Sequence, residues 1–421
     1  MGVNNLITQL AQRLGINRTV LALSAARLAD ALGNSILFII IPLYVANLPA
    51  PWFPFPESVR VGLLISLYGL FIAVLQPVMG ALADHYGRFK IFIQIGLLTM
   101  GAATLAFVFA GRFVDLLFLR ALQGVGVSLT VPASLALMTA ATEKETRGGS
   151  MGVYSSMRMV GFAIGPLLGG YLHVHFGFDT AFVVGAATIF LGMLLVQMWV
   201  REPETAVSSD APVKFQVFDR ELWTVGMIGL GLATFIMAAD FSMMTTLENE
   251  FNQRLTQTAV GFGLAFSALM VSRLIFQIPL GRWSDRIGRK PLIIGGMILL
   301  APSTLLLGLA ATTLQLTGYR LVQGLASAAV AAPAFALAAD ISHKGGEGRQ
   351  LSVITAGFGL GIALGPLLAG LLAVYFFELP FLVGGLLALV GAWIVYRYVP
   401  ESVQRGQAER PLPERSQHTA D

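Results

Sequence analysis

The sequence predicts an all-α integral membrane protein: twelve transmembrane helices in two pseudo-symmetric six-helix bundles. Three observations carry that prediction. The 421-residue chain is 56% hydrophobic and only 12% charged, with a mean hydropathy of +0.74, whereas a soluble domain carries about 25% charged residues. Apolar stretches of about 20 residues, enough to cross a bilayer core, recur along it. The third observation is repetition at a spacing of about 200 residues. GALADHYGRFK (80–90) returns as GRWSDRIGRK (281–290), RALQG (120–124) as RLVQG (320–324), and GFAIGPLLGG (161–170) as GIALGPLLAG (361–370). Three motifs in one order at one spacing mark an internal duplication. In a membrane protein such a repeat points to a transporter with its site between the halves.

The elements follow in order. The start, MGVNNLITQLAQRLGINR, lacks the continuous apolar run of a cleavable signal. Leu6, Leu10 and Leu14 share a helical face beside Arg13 and Arg18, so a surface amphipathic helix and a frayed terminus both fit. Spans are expected at 22–46, 61–83, 91–111, 114–138, 151–173 and 179–200. The first outer loop, ANLPAPWFPFP, places Trp52, Phe53 and Phe55 at headgroup level. A first bundle within 1–200 is joined by a polar cytoplasmic linker, 201–222, to a second bundle at 223–398. The second set of spans is 223–246, 257–280, 291–310, 314–338, 351–374 and 379–397, and a disordered tail is expected at 399–421. Helices are required because lipid cannot satisfy an open backbone, and the alternation of a barrel strand is absent.

Charge sorts by side. With the N-terminus in the cytoplasm, the inner segments hold about nineteen lysines and arginines and the outer ones about three, Arg60, Arg112 and Arg254. Both termini of this multi-pass chain are therefore expected inside the cell membrane. The net charge of +4 reflects this sorting and does not imply nucleic acid. With no cysteine, disulfides and thiolate metal sites are excluded. His173 and His175 make a weak metal case. No cofactor is implied, and no nucleotide-binding loop or hydrolytic constellation stands out, so an enzyme or ATP-driven pump is not expected.

The repeats resemble the major facilitator superfamily along essentially the whole chain. The loop signature G-x-x-x-D-x-x-G-R-[RK] reads Gly80, Asp84, Gly87 and Arg88, with Phe89 before Lys90, and again Gly281, Asp285, Gly288, Arg289 and Lys290. R-x-x-Q-G matches Arg120, Gln123, Gly124 and Arg320, Gln323, Gly324. The fifth-helix signature matches Gly161, Gly165, Pro166, Gly169 and Gly170, with Gly361, Gly365 and Pro366 in the eleventh-helix copy and Ala369 replacing one glycine. In the family that last signature is associated with drug:proton antiporters. The resemblance also implies an acid at the inner end of the fourth helix as partner for the loop arginine. The second copy has it, as Asp340 near Arg289, but the first has Ala140, with Glu143 and Glu145 further on.

Two readings fit the loop motif: a latch, in which Asp84 accepts from the N-terminus of the eleventh helix when the inner side is shut, or plain positive-inside topology. The glycines of the fifth and eleventh helices, four apart and followed by proline, fit a bent seam between the halves or generic packing.

Charges inside the membrane are costly, each about 2.5–3.5 kcal/mol at mid-span. Asp30, Arg120, Arg158, Asp240, Arg273 and Arg320 fall there. Asp30 lies about 15 Å from the inner end of its helix and Arg120 about 10 Å from the outer end of its own. Their depths therefore nearly match across a core of about 30 Å. The resemblance places helices one, four, seven and ten around the cavity, which makes Asp30–Arg120 a candidate pair and Asp240–Arg320 a second. Asp30 is expected to carry a coupling proton, against the alternative of a static pair. Arg158 is expected to snorkel inward, Glu248 and Glu250 to face outer water, and Met237, Met243, Met244 and Phe235 either to line the cavity or simply to pack. The functional expectation is proton-coupled efflux of small hydrophobic or cationic compounds by a monomer. Uptake or facilitated diffusion of a sugar or organic anion, and a non-transporting sensor, are the alternatives.

Overall fold

A computed structural model describes residues 16–143, 146–202, 224–340 and 347–401. The predicted N-terminal amphipathic helix, and most of the linker and tail, lie outside them. Eleven described segments are long and apolar enough to cross a membrane. They are α1 (Arg18–Ala46), α2 (Glu57–Tyr86), α3 (Phe89–Phe109), α4 (Phe113–Ala140), the doubly long Gly149–Trp199, α7 (Val225–Arg254), α8 (Ala259–Ile287), α9 (Arg289–Gly308), α10 (Thr313–Asp340), α11 (Glu347–Ala373) and α12 (Leu379–Tyr398).

The long segment is two helices. At 51 residues a straight helix would run about 75 Å, more than twice a bilayer core. Gly177 interrupts it with φ 83° and ψ −179°, a conformation that glycine adopts without a Cβ penalty. Neighbours on α1 show that the chain reverses there. Gly161 lies against Ala31 and Gly169 against Ile36, so 147–176 (α5) runs parallel to α1. Gly185 lies against Gly33 and Gly192 against Ala26, so 178–199 (α6) runs back. The total is the predicted twelve, six in each half.

Each half has its own apolar core. One gathers Leu23, Leu64, Leu97, Leu116, Leu137 and Phe182, the other Leu230, Ile293, Met297, Val330, Ile354 and Val395. A third draws on both halves, joining Ile39 and Ala163 to Phe241, Phe262, Phe266 and Phe381. It sits at one end of the bundle only. On α2 every residue from Ser58 to Gly69 that is buried lies in that first stretch, and beyond it only Ala83 is. On α8 burial likewise stops at Ser272, except for Ser284. The halves thus close on each other at the starts of α2 and α8 and part toward their ends. The side chains on the outside of the bundle are apolar (Phe109, Phe118, Leu314, Ile278), as a lipid-facing surface requires.

The largest departure from the predicted spans is at the seventh. Instead of ending at 246, it continues through a 3-10 turn, Met244–Leu247, to Arg254. Glu248 is consequently buried and does not face outer water. The loop motifs also shrink: α2 runs through Gly80 and Asp84, and Gly87 (φ 60°) ends it by donating its N–H to the Ala83 carbonyl.

Candidate functional site

The closed end is fastened by close backbone approach and a few hydrogen bonds. A Cβ at Gly62 would lie 2.5 Å from the Pro366 carbonyl oxygen, and one at Gly263 2.5 Å from that of Pro166. The Ser58 hydroxyl donates to the Gly370 carbonyl at 3.2 Å, and the Ser66 hydroxyl accepts from the Leu367 N–H at 3.1 Å. Asn249 donates to the Pro42 carbonyl at 3.2 Å and to Glu57. The fifth- and eleventh-helix glycines divide between two jobs. Gly161, Gly165 and Gly169 press α5 onto α1, and Gly361 and Gly365 press α11 onto α7, all within one half. Only Gly170, against Ala259, and Gly370, against Ser58, lie on the seam between halves. Glycines four apart face one partner helix, so their register with α1 and α7 leaves the seam to the prolines' face.

Asp30 and Arg120 are not brought together. The Asp30 carboxylate is held by Arg27 at 2.6 Å and by the Asn34 amide at 2.6 Å. Three and four residues is the spacing at which helix side chains meet, and it serves Asp30 before a group on another helix can. All three side chains are buried, and Arg27 faces the Tyr154 ring at 5.6 Å. A void of about 10 Å³ lies beside them, lined by Asp30, Ile93, Thr130, Ser134 and Tyr154. It has room for about one water molecule.

Arg120 instead donates to Gln123 at 3.1 Å, and Gln123 donates to Thr104 at 2.8 Å. The second half repeats the row: Arg320 to Gln323 at 2.5 Å, and Gln323 to Thr304 at 3.1 Å. Arg120 is 1% and Arg320 0% exposed. Each guanidinium is packed on aromatic rings: Arg120 lies 5.9 Å from Phe38 and 5.3 Å from Tyr68, and Arg320 5.8 Å from Phe241 and 5.3 Å from Phe266. Phe38 of α1 and Phe266 of α8 stack across the seam, 6.3 Å apart and 19° from parallel.

Asp240 does not pair with Arg320. It accepts from Thr304 of α9 at 3.3 Å, and its other oxygen faces Gly384 of α12. The matched bonds of Ser35 to Gly161 and Ser242 to Gly361 set the register of the halves, and in it Asp240 occupies the place of Gly33. It is therefore no counterpart of Asp30. Arg158 faces Phe162 at 5.4 Å and Arg273 faces Phe358 at 5.6 Å, both toward the open end.

At the open end Arg289 pairs with Asp340 at 2.5 Å and with Asp285 at 3.3 Å. Asp84 and Arg88 are exposed, and neither has an ion-pair partner among the described residues. Two residues absent from the sequence reading cap helices here. Glu202, just after α6, accepts from the Lys90 N–H at 3.1 Å. Glu401, just after α12, accepts from the N–H groups of Arg289 at 3.2 Å and Lys290 at 3.0 Å. Each places a carboxylate at the positive end of a helix.

The family model of the Major Facilitator Superfamily matches residues 23–252 and 230–419. A multi-drug resistance efflux pump, PmrA, of Streptococcus pneumoniae is 29% identical over 314 residues, 73% of this chain and 77% of that protein. The multidrug resistance protein MdtG of Klebsiella pneumoniae is 27% identical over 387 residues, 90% of this chain and 92% of its own. Among solved structures, a bacterial homolog of the human lysosomal transporter Spinster, inward-facing and unoccupied, superposes with a TM-score of 0.74 at 16% identity. It covers 90% of this chain and 95% of the other.

Proposed function

Because the chain belongs to the Major Facilitator Superfamily, and is thus a multi-pass membrane transporter, we propose that it exports small, largely apolar compounds by proton-coupled alternating access. The observation that carries the reading is the one-sided closure of the halves: α2 and α8 are buried along their first stretches and exposed along the rest. Two bundles pinned at one mouth have a second arrangement available, pinned at the other. With the orientation that the charge bias favours, the pinned mouth is the outer one. Arg289, Asp285 and Asp340 at the open mouth, with Asp84 and Arg88, are the groups that would re-pair when it shuts. The names borne by PmrA and MdtG support export.

Asp30 is the proposed proton carrier. It is a buried carboxylate beside a water-sized void, and protonation would loosen its ion pair with Arg27, whose guanidinium also faces Tyr154 of α5. The test is flux in proteoliposomes with an imposed pH gradient. Asp30→Asn should abolish gradient-driven transport while the folded protein remains in the membrane; full gradient-driven activity in that variant ends the proton role. Transport by the unaltered chain that ignores the gradient would instead favour facilitated diffusion.

A further inference from the structure

The reading as an exporter leaves the charge of its cargo unspecified, and the buried arginines bear on it. Resting on that reading, we propose that the substrate is an organic anion, an oxyanion such as a carboxylate on a flat apolar body, held between Arg120 and Arg320.

Each of these guanidiniums spends only Nη1 on its glutamine. In both, Nε and Nη2 are buried without a hydrogen-bond partner. Those two nitrogens form one edge of the guanidinium fork, the edge that receives a carboxylate through two parallel bonds. No carboxylate pairs with either arginine among the described residues. A buried charge without a partner is unfavourable, and here the same free edge recurs at duplicated positions, each seven residues into its helix, α4 and α10.

The rings between them suit the rest of such a molecule. Arg120, Phe38, Phe266 and Arg320 follow one another across the seam. When the halves part at this end, an arene taking the place of the Phe38–Phe266 contact keeps the stacking and brings its carboxylate to one of the two free edges. Two of the buried acids are turned to other partners. Asp30 is engaged by Arg27 and Asn34, and Asp240 is turned to Thr304 and Gly384, away from the seam. Arg158 and Arg273, nearer the open end, add to the positive sign of the approach.

The experiment measures equilibrium binding to the full chain in nanodiscs, with no gradient, of three probes of one shape: 2-naphthoate, neutral 2-naphthamide and cationic 2-naphthylmethylammonium. The carboxylate should bind at least about tenfold tighter than either other probe, the scale of charge-assisted hydrogen bonds. Arg120→Gln and Arg320→Gln should each reduce that preference, and the double variant remove it, with little effect on the amide, and Arg120→Lys and Arg320→Lys should restore part of it. Equal or tighter binding of the amide or the ammonium, undetectable binding of the carboxylate, or unchanged affinity in the glutamine variants overturns the proposal. Should a glutamine variant fail to fold, the preference of the unaltered chain and the lysine variants decide. Since no flux is measured, the fate of proton coupling in Asp30→Asn bears on the preceding proposal alone.

Discussion

If the halves alternate between two closures as proposed, adding a single methyl group at Gly62 should tip the equilibrium between them. A Cβ there would sit 2.5 Å from the Pro366 carbonyl oxygen and 3.1 Å from the Leu367 Cα, both backbone atoms of α11 that cannot swing aside. Non-bonded carbon contacts are optimal at about 3.5–4.0 Å, so α2 and α11 must separate by about 1 Å, and a gap of that size forfeits up to about half of each contact's attraction. Overpacking of this kind costs about 1–3 kcal/mol. The strain exists only while this end is shut, so Gly62→Ala should raise the population open at this end by about 5- to 150-fold. Gly263→Ala, facing the Pro166 carbonyl at 2.5 Å, should do the same at the other seam. The chain has no cysteine, so Ser66→Cys, buried at the closed seam, provides a clean thiol reporter. Its reaction with a maleimide in purified protein should accelerate in proportion to the open population. Gly359→Ala and Gly295→Ala, where a Cβ meets nothing within 4 Å, are the controls. A reporter rate that rises no more in Gly62→Ala than in the controls refutes the argument.

Other outcomes can be checked by melting experiments. Glu202→Gln and Glu401→Gln each weaken an acceptor at a helix N-terminus, and each should cost about 0.5–1 kcal/mol, read as a lower Tm with the effects adding in the double variant. The Arg254 hydrogen bond holds the Glu378 carboxyl below its ordinary 4.5. Because the folded value is the lower one, the pair's contribution is complete above pH 4.5 and fades as pH falls through that lower value. The Tm difference between the unaltered chain and Glu378→Gln should therefore be small, as for any exposed pair, and vanish in acid. A difference that grows below pH 4 would contradict the assignment.

Hydropathy and repetition made the spans and the duplication legible, including the break that falls at Gly177. Side-chain pairing was less legible, because depth in a helix does not say which face a residue takes. Asp30 and Arg120 match in depth, yet Arg27 and Asn34 stand on Asp30's own face and reach it first. Arg27 belongs to no repeated motif, so nothing in the sequence singles it out. The polar run ENE around Glu248 reads as a loop in the sequence, but hydrogen bonds from Asn249 to Pro42 and Glu57 hold that turn, which is helical, against the first half. The threonines beneath the arginines are legible in the repeat: Thr104 and Thr304 obey the same spacing as the motifs, and Glu202 and Glu401 nearly do.

The reversal at Gly177 has a mechanical corollary. With one residue between them, the fifth and sixth helices have little slack, so a shift of one is passed to the other. The matching bend of the second half, 374–378, is longer, and it is braced by Arg254 gripping Glu378 and lying 3.9 Å above the Phe377 ring. One corner is short by construction; the other is longer, with an exposed ion pair across it.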